Sequence, residues 1–490
     1  MGETVVKRSL LLAVGCLVAA PLLAASPAKP GFRAGAVTSN ITPFLGGDIV
    51  GGFTPFPATN VHDELHARCL VLDDGKIRLV LVVCDLLGIG RDVSLEARKL
   101  IQENSGIQPE HVLISAVHTH SACDARGQTP LNEYNRFVAR RIADAVQCAV
   151  GTLRPAQIAF VTAEVPEHVF NRRWLMKPGT APPNPFGGID AVKMNPPPGS
   201  PDLVEPAGPT DPTISVLALR ELGGRPIALF SAYGLHYVGR VGSGDISADY
   251  YGMYCRQLEL LLDASDLDPP FVAMMANGAS GDVTSTDRRR PEPKMEPYVK
   301  MRRVADTVAR RVHAALAKAE YRGDITLAVR YREPIIARRR VTAEQIAWAK
   351  RTLAQPASTS VKADLPRIYA GRTMRLAESP EAIPVPLQVF RVGPVCIGTM
   401  PTEVFCEIGL EFKKQCPIQP ALLVSLSHGD LGYLPTPRQF ALGGYETWIG
   451  TNQLEPQASE KMLDALLQMA AEVKAAAGSR PVEAVRTAQP

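Results

Sequence analysis

His118-Thr119-His120 places two imidazoles one residue apart at the end of the apolar run ISAV. In an extended chain such side chains point the same way. The carboxyl ends of strands are where open α/β sheets bind ligands. Neutral imidazoles held there by outer partners are zinc ligands; two hydrogen-bonded loop histidines are the alternative. His236 repeats the context, following ALFSAYGL and preceding the glycine-rich GRVGSGD. Glu403 lies between GTMPT and VFCEIGLEFKK. A carboxylate there either complements the dipole of a predicted helix or completes a histidine site for zinc. NGASGDVT, which ends at Thr284, follows the apolar run FVAMMA. Its small residues let a ligand approach the backbone, yet it lacks the lysine of a phosphate-cradling loop. Tyr433 and Tyr445 stand in GDLGYLPTPRQFALGGYETW, a loop whose tyrosines are packing or binding residues.

The elements that must carry these groups are legible from periodicity. RLVLVVCDLL (78–87) is a β-branched strand, 93–104 a helix and 111–117 a second strand. That order makes a βαβ unit with a buried parallel pair. Residues 131–150 form an amphipathic helix with Tyr134, Val138, Ile142 and Val146 on one face. Strands are expected at 157–163, 213–220, 227–232, 271–275, 386–392, 395–399 and 421–426. Helices are expected at 249–262, 298–318, 342–354, 403–415 and 457–476. The fold class is α/β, a mixed or parallel sheet flanked by helices in a single large domain over 31–477. No internal repeat is visible. Residues 175–212, dense in proline and glycine, read as an irregular lid or insert beside the active-site mouth.

A hydrophobic fraction of 46% against 21% charged residues calls for a packed core and excludes a disordered chain. A net charge of +4 without a basic run excludes nucleic acid as the main partner. Residues 1–26, with Lys7, Arg8, an apolar run and a small-residue end, read as a signal peptide, so the protein is expected to be periplasmic or secreted. The residues from 478 to 490 read as a flexible tail. The cysteines, scattered through apolar segments without a CxxC pair, read as buried free thiols.

Taken in order, VHTHSA, FNRRW, the histidine after an apolar strand, NGASGDVT, MPTEVF and GYLPTP with GGYE resemble the neutral/alkaline non-lysosomal ceramidases, from about Gly31 to about Leu467. The resemblance implies a zinc-dependent hydrolase of a linear amide, cleaving an N-acyl sphingoid base or related N-acyl compound into a fatty acid and an amine. It implies zinc ligands at His118, His236, Glu403 and Tyr433. It also implies substrate-binding and catalytic roles for His120, Arg172, Tyr445 and Thr284. An N-acyl lipid or small amide is then the partner, with peripheral membrane contact open. The sequence departs from the family in having Thr284 for a serine and Ala122-Cys123-Asp124 where glycine and proline follow the histidines. It is also expected to lack the family's C-terminal immunoglobulin-like domain. The alternatives are a hydrolase of another ester or amide, and a non-catalytic binding protein on the same fold.

Overall fold

The computed structural model describes residues 1–2, 31–127, 129–357 and 360–478. The expected leader (1–26) and tail (478–490) lie, but for residues 1, 2 and 478, outside the described residues.

The large sheet opens with three antiparallel strands, β1 (Arg33–Asn40), β2 (His66–Asp73) and β3 (Arg78–Cys84). Helix α1 (Arg91–Ser105) then crosses over to β4 (Val112–Ala116), parallel to β3. A second helix, α2 (Glu133–Gly151), packs on α1. The same order follows at once. Strands β5 (Arg154–Glu164), β6 (Thr213–Glu221) and β7 (Pro226–Tyr233) are antiparallel. Helix α3 (Asp249–Leu261) leads to β8 (Val272–Asn277), parallel to β7, and α4 (Val299–Leu316) packs on α3. Strands β1 and β5 join the two halves into one sheet of order β8-β7-β6-β5-β1-β2-β3-β4.

A third round builds the smaller sheet β9 (Leu327–Arg332), β10 (Leu387–Val392), β11 (Val395–Thr399) and β12 (Ala421–Val424). A helical hairpin, α5 (Ala343–Leu353) and α6 (Val361–Ala377), is inserted between β9 and β10. Helix α7 (Cys406–Gln415) makes the crossover from β11 to the parallel β12. A short α8 (Pro437–Leu442) and the long α9 (Ala458–Gly478) complete the chain. The order of elements thus recurs three times, although the sequence shows no repeat. Strand pairing and crossover handedness constrain topology, whereas side chains need only be apolar and of suitable size.

The βαβ unit and the other expected helices and strands are present, with one addition and one correction. Residues 175–212, mostly turns and loops as expected, also contribute to a small antiparallel sheet formed by Arg173–Met176, Val192–Met194 and Leu203–Pro206. Its strands are too short and too turn-rich to give a periodic signal. The helix expected from Glu403 starts at Cys406 instead, and Glu403–Val404 pair in parallel with Tyr433–Leu434. Asp282 Oδ1 accepts the Cys406 N–H at 2.8 Å, so a distant carboxyl caps that helix and leaves Glu403 outside it. Seven described cysteines are buried free thiols, while Cys148 is free but exposed. Among the described residues no helix is long and apolar enough to cross a membrane.

Candidate metal centre

The parallel strand of each round ends at the same place, and the three turns interlock there. Asn277 Nδ2 donates to Val117 O at 3.0 Å, Ser425 N to Asn277 O at 2.8 Å, and Ala116 N to Leu426 O at 3.1 Å. His118 and His120 leave the end of β4, His236 the end of β7 and Glu403 the end of β11. His118 holds a left-handed backbone at φ 77°, a strain that persists in a non-glycine residue where its surroundings fix it. The Thr119 hydroxyl donates to Ser247 O at 2.7 Å and locks the turn between the two imidazoles. Gly51, at φ 133°, lets the chain lie against His120, whose Cβ would be 2.8 Å from any added side chain.

The ligand nitrogens of His118, His120 and His236 all lie within 4.8 Å of one another. His118 Nδ1 is 2.7 Å from Leu87 O and His236 Nδ1 is 3.1 Å from Ser280 O. Both carbonyls can only accept, so each Nδ1 carries the proton and each Nε2 turns a lone pair to the centre. Glu403 Oε2 stands 3.2 Å from His118 Nε2 and 3.7 Å from His236 Nε2, buried and without a hydrogen-bond partner. His120 Nε2 is 3.2 Å from His118 Nε2. Lone pairs facing one another in a largely buried site are repulsive unless a proton or a cation lies among them; Arg172 answers only His236 Nε2, at 3.2 Å. The donor set, imidazoles with one carboxylate, suits zinc.

Electrostatics point the same way. Burial, followed by neighbouring His118 and Arg172, pushes His120 well below the usual imidazole range. His236 is also held well below it, by burial and then by Arg172 and the other two histidines. Burial would depress His118 too, but Glu403, the Leu87 carbonyl and Asp430 together outweigh it and hold that imidazole above its usual value. A proton is thus drawn to the spot that a divalent cation would fill.

The remaining expected residues surround this centre. Register pairing sets Tyr433 beside Glu403. The guanidinium of Arg172 lies 5.1 Å over the Tyr433 ring, and one of its nitrogens is 3.2 Å from His236 Nε2. Tyr445 packs edge-on against Tyr433 at 5.7 Å. Burial drives Tyr433 well above the usual phenol range and Tyr445 up to about 12, so both stay protonated near neutrality. Thr284, paired with Phe170, lines a cavity of about 400 Å³ together with Arg172 and His236. Asn195 and Pro198, from the proline-rich segment, form part of its wall. The geometry also groups His120 with the two histidines expected as ligands, although it is the least buried of the three.

Sequence reasoning passed over several groups. Tyr237 stacks on His120 at 3.6 Å; its position directly after His236 was the available signal. Glu446, fully buried, binds Arg172 at 2.8 Å and Arg173 at 2.6 Å. Arg240, Arg288 and Glu292 line the cavity. His428, at the end of β12, is the counterpart of His118 but not a member of the cluster. Its two nitrogens face Ser94 at 3.1 Å and Gln388 at 3.0 Å, so neither is left for a metal.

No family model matches the chain. Solved structures similar to it include two ceramidases. One is neutral ceramidase from Pseudomonas aeruginosa, at 17% identity and a TM-score of 0.66, over 91% of this chain and 75% of that one. The other is a ceramidase complexed with C2, at 17% identity and a TM-score of 0.68, over 91% of this chain and 76% of that one. At this identity the likeness speaks for architecture: the chain has the neutral ceramidase fold.

Proposed function

We propose that the protein is a zinc-dependent hydrolase of a linear amide, cleaving an N-acyl amine into a carboxylic acid and an amine. The observation that carries the reading is the convergence of His118, His236 and Glu403, with the buried Glu403 Oε2 unpartnered among imidazole lone pairs. The similar structures, named as ceramidases, support an N-acyl lipid as the substrate class. A leader at residues 1–26 would send the enzyme to the periplasm or outside.

His118, His236 and Glu403 would hold the metal, with Tyr433 as a neutral fourth group. Bound zinc supplies Lewis acidity, making water a nucleophile near pH 7 and polarising the acyl oxygen. His120, neutral and the most accessible of the three imidazoles, is suited to take the proton of the attacking water at Nε2 and return it to the leaving nitrogen. Tyr445 keeps its phenolic proton and can donate it as a hydrogen bond to the developing oxyanion. Arg172 and Thr284 face the cavity on the His236 side and would hold the amine half of the substrate.

The test is metal analysis of the purified protein, followed by a screen of N-acyl lipids, short amides and esters. About one zinc per chain is expected. The double variant His118→Ala/His236→Ala should lose both the metal and all hydrolysis, and full zinc occupancy in it would refute the assignment. Turnover of esters alone would favour the second reading, a hydrolase of a different acyl substrate.

A further inference from the structure

The cavity on the His236 side carries more positive charge than its fold neutralises. Arg172, Arg240 and Arg288 all line it, beside the hydroxyls of Thr284, Ser285 and Thr286. Two carboxylates form ion pairs with the cations of this region, each shared between two of them, and Glu403 acts on Arg172 from the histidine centre. Glu446 binds Arg172 at 2.8 Å and Arg173 at 2.6 Å, and Glu292 binds Arg240 at 2.6 Å and Lys300 at 2.5 Å. Arg288 makes no ion pair with any carboxylate among the described residues. One of its terminal nitrogens donates to Asn195 Oδ1 at 2.7 Å, the other reaches Pro196 O at 3.4 Å, and its Nε is buried with no partner.

Partly buried guanidinium groups in excess of carboxylates are costly unless an anion joins them. The electrostatic environment agrees: burial holds Arg288 below its usual range, Glu292 opposes this, and Arg172 and Arg240 add to it. The planar fork of arginine matches carboxylate and phosphate oxygens, and neighbouring hydroxyls add donors to the same ligand. The walls are fixed by backbone contacts: Gly199 N donates to Arg288 O at 2.9 Å, tying the proline-rich segment to the arginine's own loop. The opposite flank is aromatic, running from Tyr433 through Tyr445 to Trp448 and Tyr369.

We propose that this cavity receives an anionic group, a carboxylate or a phosphate, carried on the amine half of the substrate. The inference rests on the amide-hydrolase reading for the word amine, but the anion site stands on the cavity alone.

The experiment uses the metal-loaded protein and four compounds with one acyl chain. They are an N-acyl amino acid and its carboxamide, and an N-acyl phosphoethanolamine and the matching N-acyl ethanolamine. Binding is read by calorimetry and turnover as kcat/KM. At least one anionic compound should exceed its neutral twin by about ten-fold or more in both measurements. The pair showing the preference distinguishes carboxylate from phosphate. Arg288→Gln should remove most of that ratio, and Arg288→Lys, which keeps the charge, should fall between. Equal binding of both twins in each pair overturns the inference, whether or not the amides are hydrolysed. A binding preference without any hydrolysis keeps the anion site and refutes the amide-hydrolase reading instead.

Discussion

The two flanks of the histidine centre are built on opposite principles. On one side Tyr433, Tyr445, Trp448, Tyr369 and Phe53 make edge-to-face contacts at 5.3–6.5 Å, an aromatic cluster held by packing in which Tyr369 and Tyr433 are buried. On the other, Arg172, Arg240, Arg288 and Glu292 line a polar cavity that binds by charge and hydrogen bonding. Arg172 belongs to both, lying over the Tyr433 ring while pairing with Glu446. On the proposed reading specificity would reside in the charged side, because a ligand that leaves its cations unanswered is disfavoured there.

The comparison breaks most completely at Glu446, where the flanks meet. Removing a buried carboxylate that serves two buried arginines leaves both charges uncompensated. Glu446→Ala should therefore cost roughly 3–5 kcal/mol of stability, read from denaturant unfolding. A loss below about 1 kcal/mol would show that Arg172 and Arg173 find other partners. Next in size is Tyr445→Phe, which leaves the aromatic surface and removes one hydroxyl. If that hydroxyl stabilises the oxyanion, kcat should fall by about 10²–10³ with KM little changed. A change in KM alone would return Tyr445 to the binding surface.

Titration separates the flanks a third way. The tyrosines of the aromatic side do not ionise in the neutral range, but Asp282, just before the cavity-lining Val283 and Thr284 in sequence, is fully buried and pushed up to about 6, chiefly by burial against the opposing hydrogen bond from Cys406. Its folded value lies above the unfolded one, near 3.9. Between the two the native state binds a proton that the unfolded chain has released, so this group's contribution falls as pH rises from about 4 to above 6. The total is roughly 3 kcal/mol. Asp282→Asn cannot titrate. Its stability relative to the parent, measured in urea at pH 4 and pH 7, should rise by about that amount. Parallel curves for the two proteins would rule out a raised value.

How much of this was open to sequence reading follows from what each residue interacts with. His118 and His236 stood out because they follow apolar runs of strand length, a local signal. Glu403 stood out as a carboxylate, but its element was misread. The capping Asp282 is distant in sequence, and the pairing of Glu403 with Tyr433 has no local signature. The threefold order of elements was invisible because it resides in strand pairing, not in residue identity. His428 shows the converse: its strand-end context matches that of His118, and only Ser94 and Gln388, from other elements, reveal that both its nitrogens are occupied. The charged cavity was missed for the same reason, since Arg172, Arg240 and Arg288 come from three separate segments. The signal in the proline-rich stretch was its position after Arg172, which is why its place beside the cavity was legible and its strands were not.

The smallest expected effect concerns Thr284, where the chain departs from the serine of the ceramidase motif. Thr284 is half-buried, lines the charged cavity and is held in register by Phe170, so its side chain has little freedom to swing away. Thr284→Ser keeps the hydroxyl and removes one methyl from the wall. A methylene in a closed pocket discriminates substrates by about 1–3 kcal/mol, and a half-exposed wall should give the lower end, roughly 1 kcal/mol or five-fold. The change should favour the bulkier amine half, raising kcat/KM for a long-chain N-acyl sphingoid base relative to a short N-acyl amide under the same detergent. It should leave the preference conferred by Arg288 intact, because that arises from charge and the methyl acts through volume. A shift in the anionic-to-neutral ratio as large as that in the size ratio would show that Thr284 takes part in anion binding through its hydroxyl's orientation. The cavity would then discriminate by one coupled device in place of two independent ones.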